Sequence, residues 1–151
     1  MKAAFLYKFA AYVEWPPGAF AAPEAPFVFG IVGSEDVAAE LAKVTAGRQV
    51  GARPVVVKRM REGEPLRGLH VVFVGRLAAE RLAALIRATQ LAALLFVTET
   101  ERGLEAGSAI NFVVVDDRVG FEVSLDAAER HGLKISSRML GVARRVLQRG
   151  P

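Results

Sequence analysis

The sequence predicts an α/β fold: a three-layer-like sandwich on a mostly parallel sheet, with an antiparallel C-terminal hairpin and helices on both faces. Three observations predict it. Short apolar runs alternate with helix-period stretches through residues 27–98, as successive βα units do. A further apolar run, Ile110 to Val115, is joined by the two residues Asp116-Asp117 to a strictly alternating one, and strands joined so tightly pair antiparallel. Finally, 151 residues with 52% hydrophobic and 24% charged side chains suffice for one core and scarcely two. The whole of 1–151 therefore reads as a single domain, a helix at 3–15 followed by an α/β body at 27–151.

The opening helix rests on Phe5, Phe9, Tyr12 and Val13, which recur at one-face spacing. Pro16 stops it, because proline has no backbone donor and disfavours helix at the preceding residue. A secretory leader is the competing reading, with Lys2 in front and Ala19-Phe20-Ala21 resembling a cleavage site. Lys8, Glu14, Trp15 and two prolines interrupt the apolar stretch a leader needs, so the segment reads as mature, folded protein.

Phe27 to Val32 is a buried strand closed by Gly33-Ser34. Ser34 or Asp36 then caps a helix to about Thr45, with Val37, Leu41 and Val44 inward. Pro54 to Val57 is a second strand, its proline suited to a strand start or an edge. Leu69 to Val74 is a third, before a helix from Leu77 to about Thr89 with Leu82, Leu85 and Ile86 inward. Leu94 to Thr98 is the fourth, leading into a polar loop, Glu99 to Ser108. In the hairpin's second strand, Arg118 to Leu125, alternation puts Val119, Phe121, Val123 and Leu125 on one face. Asp126 with Glu129 starts a short helix that stops at Gly132. Ser136 or Ser137 caps a final helix with Met139, Ala143 and Val146 facing the core.

Composition closes several functional routes. Cysteine is absent, which excludes disulfides, thiol nucleophiles and cysteine zinc sites, and two histidines, His70 and His131, make no histidine-rich metal centre. No run approaches the roughly 18 consecutive apolar residues of a membrane span, so membrane insertion is not expected. A net charge of +4 in an Arg-, Ala- and Gly-rich chain does not by itself indicate nucleic acid. Phe121 faintly echoes an RNA-recognition strand, but its alternation with Val119 and Val123 places it in the core. Ser136-Ser137 lacks a nucleophile-elbow context and is explained by helix capping, and Asp116-Asp117 by turn formation. His70 reads as a hydrogen-bonded structural residue and His131 as a helix-terminal one. No catalytic residue, metal or cofactor is assigned.

Three surface features stand out instead. Gly30-Ile31-Val32-Gly33 lacks the third glycine of a dinucleotide fingerprint, and Asp36 comes too early for a ribose contact. The helix N-terminus at Gly33 and Ser34 still suits a small anion or polar ligand, which makes these two residues the ligand-binding candidates. Arg138, Arg145 and Arg149 fall on one side of the expected final helix, either as a basic docking strip or as a solvated face complementing the helix dipole. Trp15 is either an interface anchor or a lid over the first helix.

Two stretches carry a family resemblance. Lys2-Ala3-Ala4-Phe5-Leu6-Tyr7-Lys8-Phe9 with Val13-Glu14-Trp15-Pro16 resembles the start of mature YfiR/HmsC-like proteins. Ile110-Asn111-Phe112-Val113, Arg118, Phe121-Glu122-Val123-Ser124-Leu125, Ala128, Gly132-Leu133-Lys134-Ile135-Ser136-Ser137 and Leu140 resemble their C-terminal signature. Gly30 to Gly33, Gly68-Leu69-His70-Val71-Val72-Phe73 and the glycine-bearing loop before Ile110 agree in pattern between them. The resemblance implies a non-enzymatic periplasmic regulator, homodimeric, whose leader lies outside this sequence. It implies repression of a membrane-bound diguanylate cyclase through that enzyme's periplasmic sensor domain, lowering cyclic-di-GMP and biofilm formation, with release through an outer-membrane lipoprotein or through redox damage to the repressor. On this reading Trp15, Arg138, Arg145 and Arg149 are the partner-contact candidates. The cysteines that form disulfides in some relatives are missing here, so a thiol switch is excluded. The alternative is a periplasmic solute-binding module with its ligand at Gly33 and Ser34.

Overall fold

The computed structural model describes residues 2–77, 79–89 and 93–148. Its helices are α1 (Lys2–Tyr12), α2 (Glu35–Thr45), α3 (Ala79–Arg87), α4 (Leu125–Arg130) and α5 (Ser137–Leu140). Its strands are β1 (Val13–Glu14), β2 (Phe27–Val32), β3 (Gln49–Val50), β4 (Arg53–Met60), β5 (Val71–Val74), β6 (Leu95–Thr98), β7 (Ile110–Val115), β8 (Arg118–Ser124), β9 (Lys134–Ile135) and β10 (Arg145–Leu147).

Eight strands form one mostly parallel sheet in the order β10-β8-β7-β6-β5-β2-β4-β3, and β1 pairs with β9 in a small antiparallel sheet. Every residue of β2 is buried, because it lies between β4 and β5 with helices above and below. Phe27, Phe29 and Ile31 meet Leu6, Phe9 and Leu41 in one apolar layer, and Val28 and Val32 meet Leu82 and Ile86 in the other. The alternating period of the strand thus divides the core between α1, α2 and α4 on one side and α3 on the other.

Most expected elements are present. Ser34 caps α2, its hydroxyl accepting from the Val37 amide at 3.4 Å. The hairpin pairs Ile110 with Val123 through Val115 with Arg118, and Asp116 and Asp117 both hold positive φ, 53° and 61°, as a two-residue turn of matching twist requires.

Five details differ. The first helix stops at Tyr12 rather than residue 15, because Val13 and Glu14 pair with Ile135 and Lys134 and the Tyr12 carbonyl accepts from the Ser136 amide. Its buried stripe is Ala3, Leu6, Phe9 and Ala10, so the two small alanines face inward while Tyr12 is 39% exposed. Strand β4 extends three residues past Val57 and folds back on β3 through Gly51 at φ 61°, a hairpin the sequence reading does not contain. The α4 cap is Ser124, which accepts from the Ala127 amide at 3.2 Å, and not Asp126.

The fifth correction is the largest. The expected final helix lasts a single turn, Ser137–Leu140, and the chain then turns into β10, parallel to β8. Arg144 donates its amide to Phe121, and Arg145, Val146 and Leu147 align with Glu122, Val123 and Ser124. The hairpin leaves one edge of β8 with unpaired backbone groups, and a strand satisfies them where a helix cannot. Arg138 and Arg145 therefore share no helix face, and Arg149 lies outside the described residues.

Candidate functional site

Three surface regions hold the side chains the sequence singles out. The first is a proline-bearing strap, residues 16–26, laid across the start of β2 and β5. His70, 5% exposed, fastens it: Nδ1 accepts from the Val28 amide at 3.0 Å, and Nε2 lies 3.0 Å from the Ala19 carbonyl. Those two contacts together select the neutral ring with its proton on Nε2, donating to Ala19. The ring stacks on Phe20 at 4.4 Å and on Phe27 at 5.0 Å. Arg53 is the second fastening, donating to the Ala22 and Ala25 carbonyls at 2.9 and 2.8 Å with its guanidinium 3.6 Å from the centre of the Phe20 ring. Burial lowers the His70 pKa below its ordinary value, the bond to Ala19 opposes this, and the Arg53 charge adds to the lowering. Trp15 stands at the entry to the strap, half-buried, edge-on to Phe27 at 5.2 Å, with Nε1 3.4 Å from the Ala10 carbonyl. One face of the indole is thus held against the fold while the rest meets solvent.

The second region is a groove between α1 and α5. Phe9, Phe121 and Met139, each at most 2% exposed, form its floor, and Phe5, Tyr12 and Val142 its walls. Lys8 and Arg138 stand on its rim, both exposed. Arg145 lies elsewhere, on β10, where its guanidinium pairs with Glu122 at 3.1 and 3.2 Å.

The third is at the C-terminal ends of the parallel strands. The crossover from β2 leads through α2 on one face, and that from β5 through α3 on the other, so β2 and β5 flank the topological switch point. Gly33 and Ser34 sit there as expected, Gly33 at φ 72° and close beneath Gly75, whose amide bonds the Val32 carbonyl at 2.8 Å. The Ser34 hydroxyl is committed to capping α2. The neighbouring crevice, about 500 Å³, is lined instead by Arg76, Leu77, Arg81, Glu99, Thr100 and Glu101. Much of its charge is already matched, Glu99 by Lys2 and Arg81 by Glu62.

Among the described residues no buried side-chain polar atom lacks a hydrogen-bond partner and no three His, Asp or Glu side chains converge as metal ligands. A YfiR/HmsC-like family model matches residues 1–144. The chain belongs to the YfiR/HmsC-like family. Membership carries the family's general character, regulatory and non-catalytic, acting on cyclic-di-GMP signalling from the periplasm. No helix is long and apolar enough to cross a membrane among the described residues. No curated protein matches the chain.

The structure gives physical reasons for several residues of this YfiR/HmsC-like chain that sequence reasoning noted only as pattern. Asn111 is buried, and its Oδ1 accepts from the Thr98 hydroxyl at 2.6 Å beneath the 99–108 loop. A Cβ at Gly103 stands 2.3 Å from that oxygen and 2.6 Å from Thr98 Oγ1, so the loop closes only over glycine. Gly103→Ala is expected to destabilise by about 1–3 kcal/mol through overpacking, read as a lowered denaturant midpoint with unchanged slope. An unaltered midpoint rules out this account of Gly103. His70 is legible in sequence as a bonded histidine, but its partner Ala19, 51 positions away, is not, and neither is Arg53. Their pairing has no periodic signal.

Proposed function

We infer that the protein represses a membrane-bound diguanylate cyclase by binding that enzyme's periplasmic sensor domain, so that cyclic-di-GMP and biofilm formation stay low. The observation supporting this most is the extent of the family match, 1–144, which takes in both the N-terminal helix and the C-terminal hairpin. The contact surface in this reading comprises Trp15 and Arg138, with Arg145 and Arg149 as further candidates nearby in sequence. Trp and Arg are favoured anchors where a few side chains dominate an interface. Sequestration by an outer-membrane lipoprotein would then release the cyclase, and a homodimer is the repressing unit.

The mechanism is linkage. A repressor shifts the sensor domain only by its differential affinity for the inactive over the active state. Driving the active form from 99:1 to 1:99 takes about 10⁴-fold preference, about 5.5 kcal/mol. The test is cyclic-di-GMP synthesis by the full-length cyclase in nanodiscs as the protein is added. Dose-dependent inhibition is expected, with light scattering giving the mass of a dimer. Full activity at saturating protein refutes the reading.

A second reading, a solute-binding module, has one observation in its favour, the crevice at the C-terminal ends of β5 and β6, one strand over from Gly33 and Ser34. Ligand-dependent thermal stabilisation across a small-molecule panel, without cyclase inhibition, would favour it.

A further inference from the structure

We propose that the groove between α1 and α5 is the docking site for an apolar, carboxylate-bearing segment of the partner protein, a step that rests on the regulator reading above. The groove encloses about 320 Å³. Its floor offers aromatic and thioether surface, the material in which an inserted apolar side chain is held. Tyr12 at 39% and Val142 at 69% exposure leave apolar area uncovered at the walls.

Charge selects the occupant. Two cations border the groove and no acidic residue lines it. Neither Lys8 nor Arg138 has an ion-pair partner among the described residues, whereas Lys2, Arg59, Arg81, Arg130 and Arg145 do. An apolar segment flanked by Asp or Glu satisfies both the floor and the rim, and such complementarity sets partner choice and encounter rate. A second copy of this chain docked groove to groove brings four cations together, which costs free energy. A lipid surface is matched by a protruding apolar face, and here the apolar floor is recessed and almost fully buried.

The experiment measures binding of the full chain to the full-length cyclase in nanodiscs, with empty nanodiscs as reference. Lys8→Glu/Arg138→Glu is compared with Lys58→Glu/Arg67→Glu, which makes the same net change at exposed positions outside the groove. The groove variant is expected to weaken binding at least about tenfold and the control by less than about threefold. Val142→Asp, at an open position, gives an independent reading and is expected to weaken binding similarly. Circular dichroism and melting temperatures matching the wild type accompany each variant. Wild-type binding with unaffected groove variants overturns the groove and spares the regulator reading. Equal losses in groove and control variants, or equal binding to empty nanodiscs, also overturn the groove. A wild type that does not bind overturns both.

Discussion

Lowering the pH from about 7.5 to about 5 is expected to unfasten the strap at residues 16–26 before the sheet unfolds. Burial holds the His70 pKa below 6.5 in the native protein, whereas an unfastened strap returns the ring to its ordinary value. Above about 6.5 both states carry a neutral ring and the contribution to stability is complete. As the pH falls below that value the open or unfolded state takes up a proton that the native state resists, so stability declines. The decline continues until the pH passes the lowered native pKa. Structure explains the resistance: a protonated Nδ1 no longer accepts from the Val28 amide, and the positive ring faces Arg53. Each unit separating the two pKa values is worth about 1.4 kcal/mol.

The readout is amide exchange at Val28 and at the non-proline residues of 18–25, measured across this range in wild type and His70→Gln. Wild-type protection is expected to fall with pH at these amides while the β5–β6 amides stay protected. The variant, which keeps polar groups but does not titrate, loses that pH dependence. A wild-type profile as flat as the variant's refutes the strap mechanism. Because Trp15 shares Phe27 with His70, loosening there also alters the surroundings of the one tryptophan, and its fluorescence reports the same transition.

Sequence predicts this fold where one local pattern has one tertiary solution. The continuous run Phe27 to Val32 is central because nothing else accepts six apolar residues exposed on two faces. The hairpin follows from a two-residue linker and strict alternation. Prediction fails at the chain's end because Met139, Ala143 and Val146 fit helical spacing, while the competing demand, the open edge of β8, is invisible in that window. Locally, nothing distinguishes the two outcomes. The same blindness affects the surface. Arg138, Arg145 and Arg149 look like one stripe in a helix, yet Arg138 reaches the groove and Arg145 does not, and the aromatic residues that make it a groove come from α1 and β8, more than a hundred positions apart. Arg145 instead spends its charge on Glu122 across the strand pair.

Phe9→Ala is expected to be the most damaging single substitution of this core. Phe9 is 1% exposed and touches three rings: it stacks on Phe5 at 5.9 Å and Phe112 at 5.8 Å, and meets Phe121 edge-on at 4.9 Å. Removing the ring loses its transfer free energy and leaves a cavity bounded by rigid strands β7 and β8, which cannot collapse into it. Phenylalanine deletions of this kind cost about 3–5 kcal/mol. For a chain of this length that lowers the melting temperature by roughly 6–20 °C, and it takes a large share of a total stability of about 5–15 kcal/mol. Phe9→Leu, which keeps most of the volume, is expected to cost under about half as much. The loss has a direction as well as a size. Ala3 and Leu6 also bind α1 to the core, but Phe9, beside the half-buried Phe5, is the fully buried ring that packs α1 on the hairpin, so the alanine variant is expected to release α1 from β7 and β8 first. Hydrogen exchange then shows α1 amides opening at lower denaturant than β2 and β5, and binding through the α1–α5 groove fails in the same range. Coincident opening of α1 and the central strands, with a loss below about 1 kcal/mol, contradicts the role given to this ring.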